Sequence, residues 1–187
     1  MEAAVGVWDG YFDDVINDPK SWIDSTSDLL ASAASLRSKC PMLDPGFTPR
    51  EGVDFGFRFL GPLLLLRSCA VECALKATWL KKGNRLGENG KFVSIPDSAG
   101  HDLVALARAV DFGTSDDERA VLDRLSLWNE AGRYPTPVNW KKWTTTDSGG
   151  ILAVAESGEQ HRMRFSWSVD NEAEFARLVE RLVKALA

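Results

Sequence analysis

Histidine and cysteine are scarce in this chain, with two of the first, His101 and His161, and three of the second, Cys40, Cys69 and Cys73, among 187 residues. An odd number of cysteines without a framework spacing excludes the small disulfide-stapled class, and no basic start with an apolar run and a small-residue cleavage site is present. A reducing, cytoplasmic setting is the expectation. A long uncharged apolar run is missing as well. The most hydrophobic stretch, Phe55 to Leu80, is interrupted by Arg58, Arg67, Glu72 and Lys76, whereas a membrane span wants about 20 mostly apolar residues. It reads as a buried core helix, and no membrane association is expected. Nor is there an excess of positive charge: 22 Lys and Arg against 27 Asp and Glu leave a net charge of −5, which excludes bulk electrostatic coating of nucleic acid. Any such contact must be a local patch.

What is present suits one globular domain over residues 1–187, with 44% hydrophobic and 26% charged residues. After an aromatic and acidic segment from Trp8 to Ile16, Pro19 opens a stretch in which Trp22, Ile23, Thr26, Leu29, Leu30, Ala33 and Leu36 recur at helical spacing. Pro41, Pro45, Gly46, Pro49 and Gly52 make residues 41–54 a loop. Gly61-Pro62 then starts a Leu- and Ala-rich helix that ends at Lys81-Lys82-Gly83. Residues 83–100, with four glycines, read as a long loop.

A short helix follows from near Asp102 through Leu103, Leu106, Ala107 and Val110. Ser115 three residues before Glu118 is a capping box for a further helix to about Glu130. The tail changes period. Within residues 150–169, Ile151 to Ala155 and Arg162 to Val169 are separated by Glu156-Ser157-Gly158-Glu159, and the second run alternates apolar Met163, Phe165, Trp167 and Val169 with polar Arg162, Arg164, Ser166 and Ser168, which predicts a β-hairpin. An Asn171/Glu174 capping box and the apolar face Phe175, Leu178, Val179, Leu182, Val183 and Leu186 predict a C-terminal helix over 171–187. The fold class is mainly α: a helical bundle with a small β-hairpin before the C-terminal helix.

Three segments in the middle of the chain carry a family resemblance: Ser68-Cys69-Ala70-Val71-Glu72-Cys73-Ala74-Leu75-Lys76-Ala77, then Gly100-His101-Asp102-Leu103, then Gly132-Arg133-Tyr134-Pro135. In order and spacing, residues 60–135 resemble HEPN-domain proteins. The resemblance implies an up-and-down helical bundle, often homodimeric, in a family of RNA-cleaving toxins, nucleotide-binding members and inactive members that recognise partners. The family's ribonucleases use an Arg followed after four to six residues by a His. Here Val138, Asn139 and Trp140 stand at those positions after Arg133, and neither histidine has an Arg at that distance before it. The nuclease activity is not carried over, and no catalytic residue is assigned.

Two constellations remain as candidate sites. Glu72 and Lys76, four residues apart, share a helix face and form with His101 a candidate polar centre in which the carboxylate faces the imidazole; the alternative is a purely structural pair. Were Ser98 to cap the short helix, His101 would lie in its first turn, where the helix dipole disfavours imidazolium. Arg133, Tyr134, Trp140, Lys141, Lys142 and Trp143 combine cations with aromatic faces and are the candidate nucleotide or RNA contact, with Arg162 and Arg164 as a possible extension; the alternative is aromatic closure of the core.

Cys69 and Cys73 share a face but lack the companions a metal site needs, since no CxxC pair, HxxxH or HExxH accompanies them, and they read as buried thiols. Neither GxSxG nor a glycine-rich phosphate loop occurs. No metal and no cofactor is therefore expected. The expected function is a non-catalytic recognition module, dimeric, for a nucleotide, an RNA or a protein. The alternatives are a divergent metal-independent ribonuclease and an immunity or antitoxin-like protein.

Overall fold

The apolar run in the middle of the sequence organises the molecule. A computed structural model describes residues 10–48, 57–98, 101–131 and 167–187. They form six helices, which we number α1 (10–16), α2 (Pro19–Arg37), α3 (Phe57–Lys81), α4 (Leu103–Ala109), α5 (Asp116–Ala131) and α6 (Val169–Leu186), a 3-10 turn at Pro41–Leu43, and a two-stranded hairpin, β1 (Gly87–Glu88) and β2 (Lys91–Phe92). The architecture is mainly α. Helix α3 packs against α2, α4, α5 and α6, and its Leu60, Leu63, Leu64, Val71, Ala74 and Leu75 are buried in the shared core. A helix apolar on several faces can only sit in the middle of a bundle.

Local chemistry sets the helix ends. Asp18 caps α2, its carboxylate accepting from the amides of Lys20 and Ser21, with Pro19 in the first turn. Gly83, at φ +83°, ends α3 and donates to the Leu80 carbonyl. The Ser115/Glu118 box is formed in both directions, at 2.9 and 3.1 Å.

Several expectations are corrected. Helix α3 begins at Phe57, before Gly61-Pro62. Gly61 is not a turn residue: a Cβ there would lie 3.2 Å from the Trp128 ring, so the missing side chain lets α5 approach α3. Pro62 is tolerated inside the helix because it lies near the start and forfeits one backbone bond. Helix α4 is capped by Asp102, which accepts from the Ala105 amide at 3.0 Å, and not by Ser98, so His101 precedes the helix. At the C-terminal helix the capping box is Ser168/Asn171, not Asn171/Glu174, and Val169 is the first helical residue rather than the end of a strand.

The hairpin lies mid-chain, in the stretch read as loop. Asn89 and Gly90 at its turn have φ +54° and +72°, the positive values that a two-residue Asn-Gly hairpin turn requires. The hairpin expected over 150–169 falls on residues outside the described ones, apart from its last three. No helix among the described residues is long and apolar enough to cross a membrane.

The hairpin also anchors α1. Asn17 accepts from the amides of Leu86 and Gly87 at 2.8 and 3.0 Å and donates to the Gly87 carbonyl at 2.8 Å. Asp13 accepts from the turn amides of Asn89 and Gly90 at 2.7 and 3.1 Å. The backbones lie so close that a Cβ on Gly87 would fall 2.1 Å from Ile16 Cγ2.

Candidate functional site

Glu72 is the one carboxylate of α3, and it is buried. A charge there must be paired or neutralised. Lys76, one turn later on the same helix, donates to Oε1. His101, in the turn before α4, bonds through Nδ1 to Oε2 at 2.9 Å, and Asn129 of α5 donates its amide nitrogen to the same oxygen. The centre thus joins three helical segments through one side chain. Because an ionised carboxylate only accepts, the proton of a neutral imidazole lies on Nδ1. Burial pushes the Glu72 carboxyl up, but the charge and hydrogen bond of Lys76 and the bond from His101 outweigh it, and the group is held below the usual range.

Lys76 is enclosed in its turn. Its side chain is 11% exposed, and the ammonium lies 4.9 Å from the Trp22 ring centroid and 5.2 Å from that of Phe92. Helix α2, helix α3 and the hairpin meet at this cation. The Cys69 thiol reaches Asn129 Oδ1 at 3.9 Å. Burial raises the Cys73 thiol to about 11, so this sulfur is not a nucleophile at neutral pH. Both of these cysteines are half-buried rather than fully buried. Among the described residues no group of His, Cys, Asp and Glu is arranged to hold a metal ion.

Chemically, a carboxylate oriented on an imidazole is half of a general-base arrangement. The second half, a cation available to a phosphate, is not supplied by Lys76, whose charge is spent on Glu72 and on two aromatic faces. Of the sequence-predicted sites, Glu72, Lys76 and His101 are brought together. Arg133, Tyr134, Trp140, Lys141, Lys142 and Trp143 lie outside the described residues, as do Arg162 and Arg164. Asn129 was missed. Its signal is a polar residue in register with Leu122 and Leu125 on the apolar stripe of α5, where a side chain needs a buried partner.

A second charged cluster was also missed. Arg67, buried on α3, makes two hydrogen bonds to Glu172 of α6, and Arg37 of α2 adds a third at 2.8 Å. The Arg67 guanidinium lies 4.5 Å from the Phe175 ring centroid and 5.6 Å from that of Trp167, which itself donates to Glu172. Burial raises the Glu172 carboxyl, and the bonds and charge of Arg67, with Trp167 and Arg37, bring it below the usual range. Further along, Arg181 reaches both Glu118 oxygens and the Gly113 carbonyl. These contacts fasten α6 to α2, α3 and α5.

The molecule is thus a mainly α-helical bundle knitted by buried ion pairs. Comparison with protein-family models, with curated proteins and with solved structures gives no match.

Proposed function

We propose that the chain is a HEPN-like recognition module that binds a protein partner by its surface and performs no chemistry at its polar centre. The observation that carries this reading is the saturation of Glu72: Lys76, His101 and Asn129 are all bonded to it, and Lys76 is further covered by Trp22 and Phe92. These groups hold α3, α4 and α5 in register. The HEPN resemblance is supported by the meeting of two of its motif-bearing segments, since Glu72 of the first bonds His101 of the second. A protein partner is favoured over nucleic acid by the net charge of −5 and by exposed apolar side chains at Tyr11, Val15, Phe92 and Val93.

Native mass spectrometry of freshly purified protein at modest salt tests the reading. The expected result is polypeptide mass only, as the two-chain species the resemblance implies. Retained nucleotide or oligonucleotide would contradict the protein-partner reading, and a one-chain species would remove the dimer from it.

A second reading, a divergent ribonuclease, is favoured by one observation. The His101 side chain is 38% exposed with its Nδ1 fixed by a buried carboxylate, an orientation that leaves Nε2 as a base.

A further inference from the structure

Helices α1 and α2 enclose a groove of about 480 Å³ walled by Tyr11, Phe12, Val15, Ile16 and Trp22. Tyr11 is 63% and Val15 43% exposed, and the two lie one helical turn apart on α1. The indole N–H of Trp22 and the hydroxyls of Ser21 and Ser25 along its walls are turned to the protein itself. Trp22 Nε1 donates to the Ile16 carbonyl at 2.9 Å, Ser21 Oγ to Asp18 at 2.9 Å, and Ser25 Oγ to the Ser21 carbonyl at 2.8 Å. What faces outward is mainly hydrocarbon. The groove is also preformed, because Asn17 and Asp13 pin α1 to the β1–β2 turn and Phe12 and Ile16 close on Gly87.

The surround of this groove is acidic. Asp14 lies one helical step from Tyr11 and beside Val15, Asp18 lies between the two helices, and Asp24 and Asp28 follow Ser21 and Ser25 at a spacing of three. All four are exposed, and the single cation among them, Lys20, is committed to Asp24. An apolar slot with this rim excludes a second copy of the same acidic surface, since like charges would meet, and it excludes a polyanion for the same reason. We propose that this groove docks a basic amphipathic helix of a partner protein, its apolar face seated on Tyr11, Val15 and Trp22 and its Lys or Arg residues against Asp14 and Asp28. The proposal rests on the recognition-module reading and gives it a surface and a partner chemistry.

The test uses the full chain and a fluorescent 14-residue peptide of Leu and Lys, with Leu at positions 1, 4, 5, 8, 11 and 12 so that they share one helix face, followed by anisotropy. Saturable one-to-one binding is expected, weakened at least about tenfold by Val15→Asp, although that change adds a negative charge and would strengthen a purely electrostatic contact. Asp14→Asn with Asp28→Asn should weaken binding and flatten its salt dependence, and a Leu/Glu peptide of the same pattern should not bind. These positions are exposed, and circular dichroism checks that the variants fold. No saturable binding, binding indifferent to Val15→Asp, or equal binding of the Leu/Glu peptide would overturn the proposal. Loss of a dimer in Val15→Asp would overturn it too, giving the groove to a second copy. Retained nucleotide or RNA cleavage bears instead on the recognition reading, so the two failures are distinguishable.

Discussion

His101 Nδ1 lies 2.9 Å from Glu72 Oε2 across 29 positions of sequence, so the turn before α4 is tied to the middle of α3 by one hydrogen bond. With Lys76 and Asn129 on the same carboxylate, Glu72 is the hub of the bundle's polar interior.

Removing that hub should be costly. Glu72→Gln keeps the shape but leaves the enclosed Lys76 ammonium without its counter-charge, and breaking a buried pair on one side costs about 3–5 kcal/mol. In a chain of this size that corresponds to a fall of roughly 10 °C in Tm. Glu72→Leu combined with Lys76→Met should cost less than Glu72→Gln alone, because no buried charge is left over. Equal losses in the two variants, followed by thermal denaturation, would show that the pair is not acting as a buried ion pair.

The contact of α1 with the hairpin gives a steric prediction. Gly87→Ala places a Cβ 2.1 Å from Ile16 Cγ2, which a β-branched side chain cannot evade without moving the helix, at a cost of about 1–3 kcal/mol. Ile16→Ala in the same chain should recover part of that loss. The measurement is the double-mutant cycle in Tm; additive losses would contradict the close approach.

The pH dependence follows from Glu72, Glu118 and Glu172. For each, burial raises the carboxyl, and the paired cations and hydrogen bonds more than offset it, so the folded value lies below the usual one. Their contribution is therefore fully present above the unfolded value of about 4.3 and is lost as pH falls through the folded values. Glu172→Gln should lower Tm at pH 7, and its deficit against the wild type should shrink below about pH 4. A deficit constant from pH 7 to pH 3 would contradict the Arg67–Glu172 pairing.

Thiol chemistry offers a further check. Burial raises Cys40 and takes Cys73 to about 11, so both should alkylate at pH 8 far more slowly than a free thiol near 8.5. Peptide mapping after iodoacetamide should find them modified only once the chain is unfolded. Rapid labelling of Cys73 in the native protein would show that its surroundings are more open than described.

Much of this architecture was legible in the sequence because its signals are local. Pro19, the Ser115/Glu118 box and Gly83 mark helix ends by fixing, satisfying or releasing the nearest backbone groups, and the Leu-rich face of α3 announces burial. Asn89-Gly90 is also a local signal, but four glycines in residues 83–100 mask it as one more loop feature. The Glu72–Lys76–His101 grouping could be proposed because Glu72 and Lys76 share a helix face and a buried carboxylate needs a partner, yet spacing could not fix its burial. Asn129 was hidden as a polar residue on an apolar stripe. The Arg67–Glu172 bond spans 105 positions, and two charges on separate helices carry no mark of being partners before the helices pack. Gly61 was misread because its function is tertiary, namely room for Trp128.

The most direct test of a polar centre that scaffolds rather than catalyses is incubation of concentrated wild-type protein with single-stranded RNA, alongside His101→Ala shown by circular dichroism to be folded. The account predicts intact RNA with both proteins and a lower Tm for His101→Ala, since Glu72 loses one of its bonds. RNA cleaved by the wild type and spared by the folded His101→Ala variant would contradict it and make His101 a catalytic base.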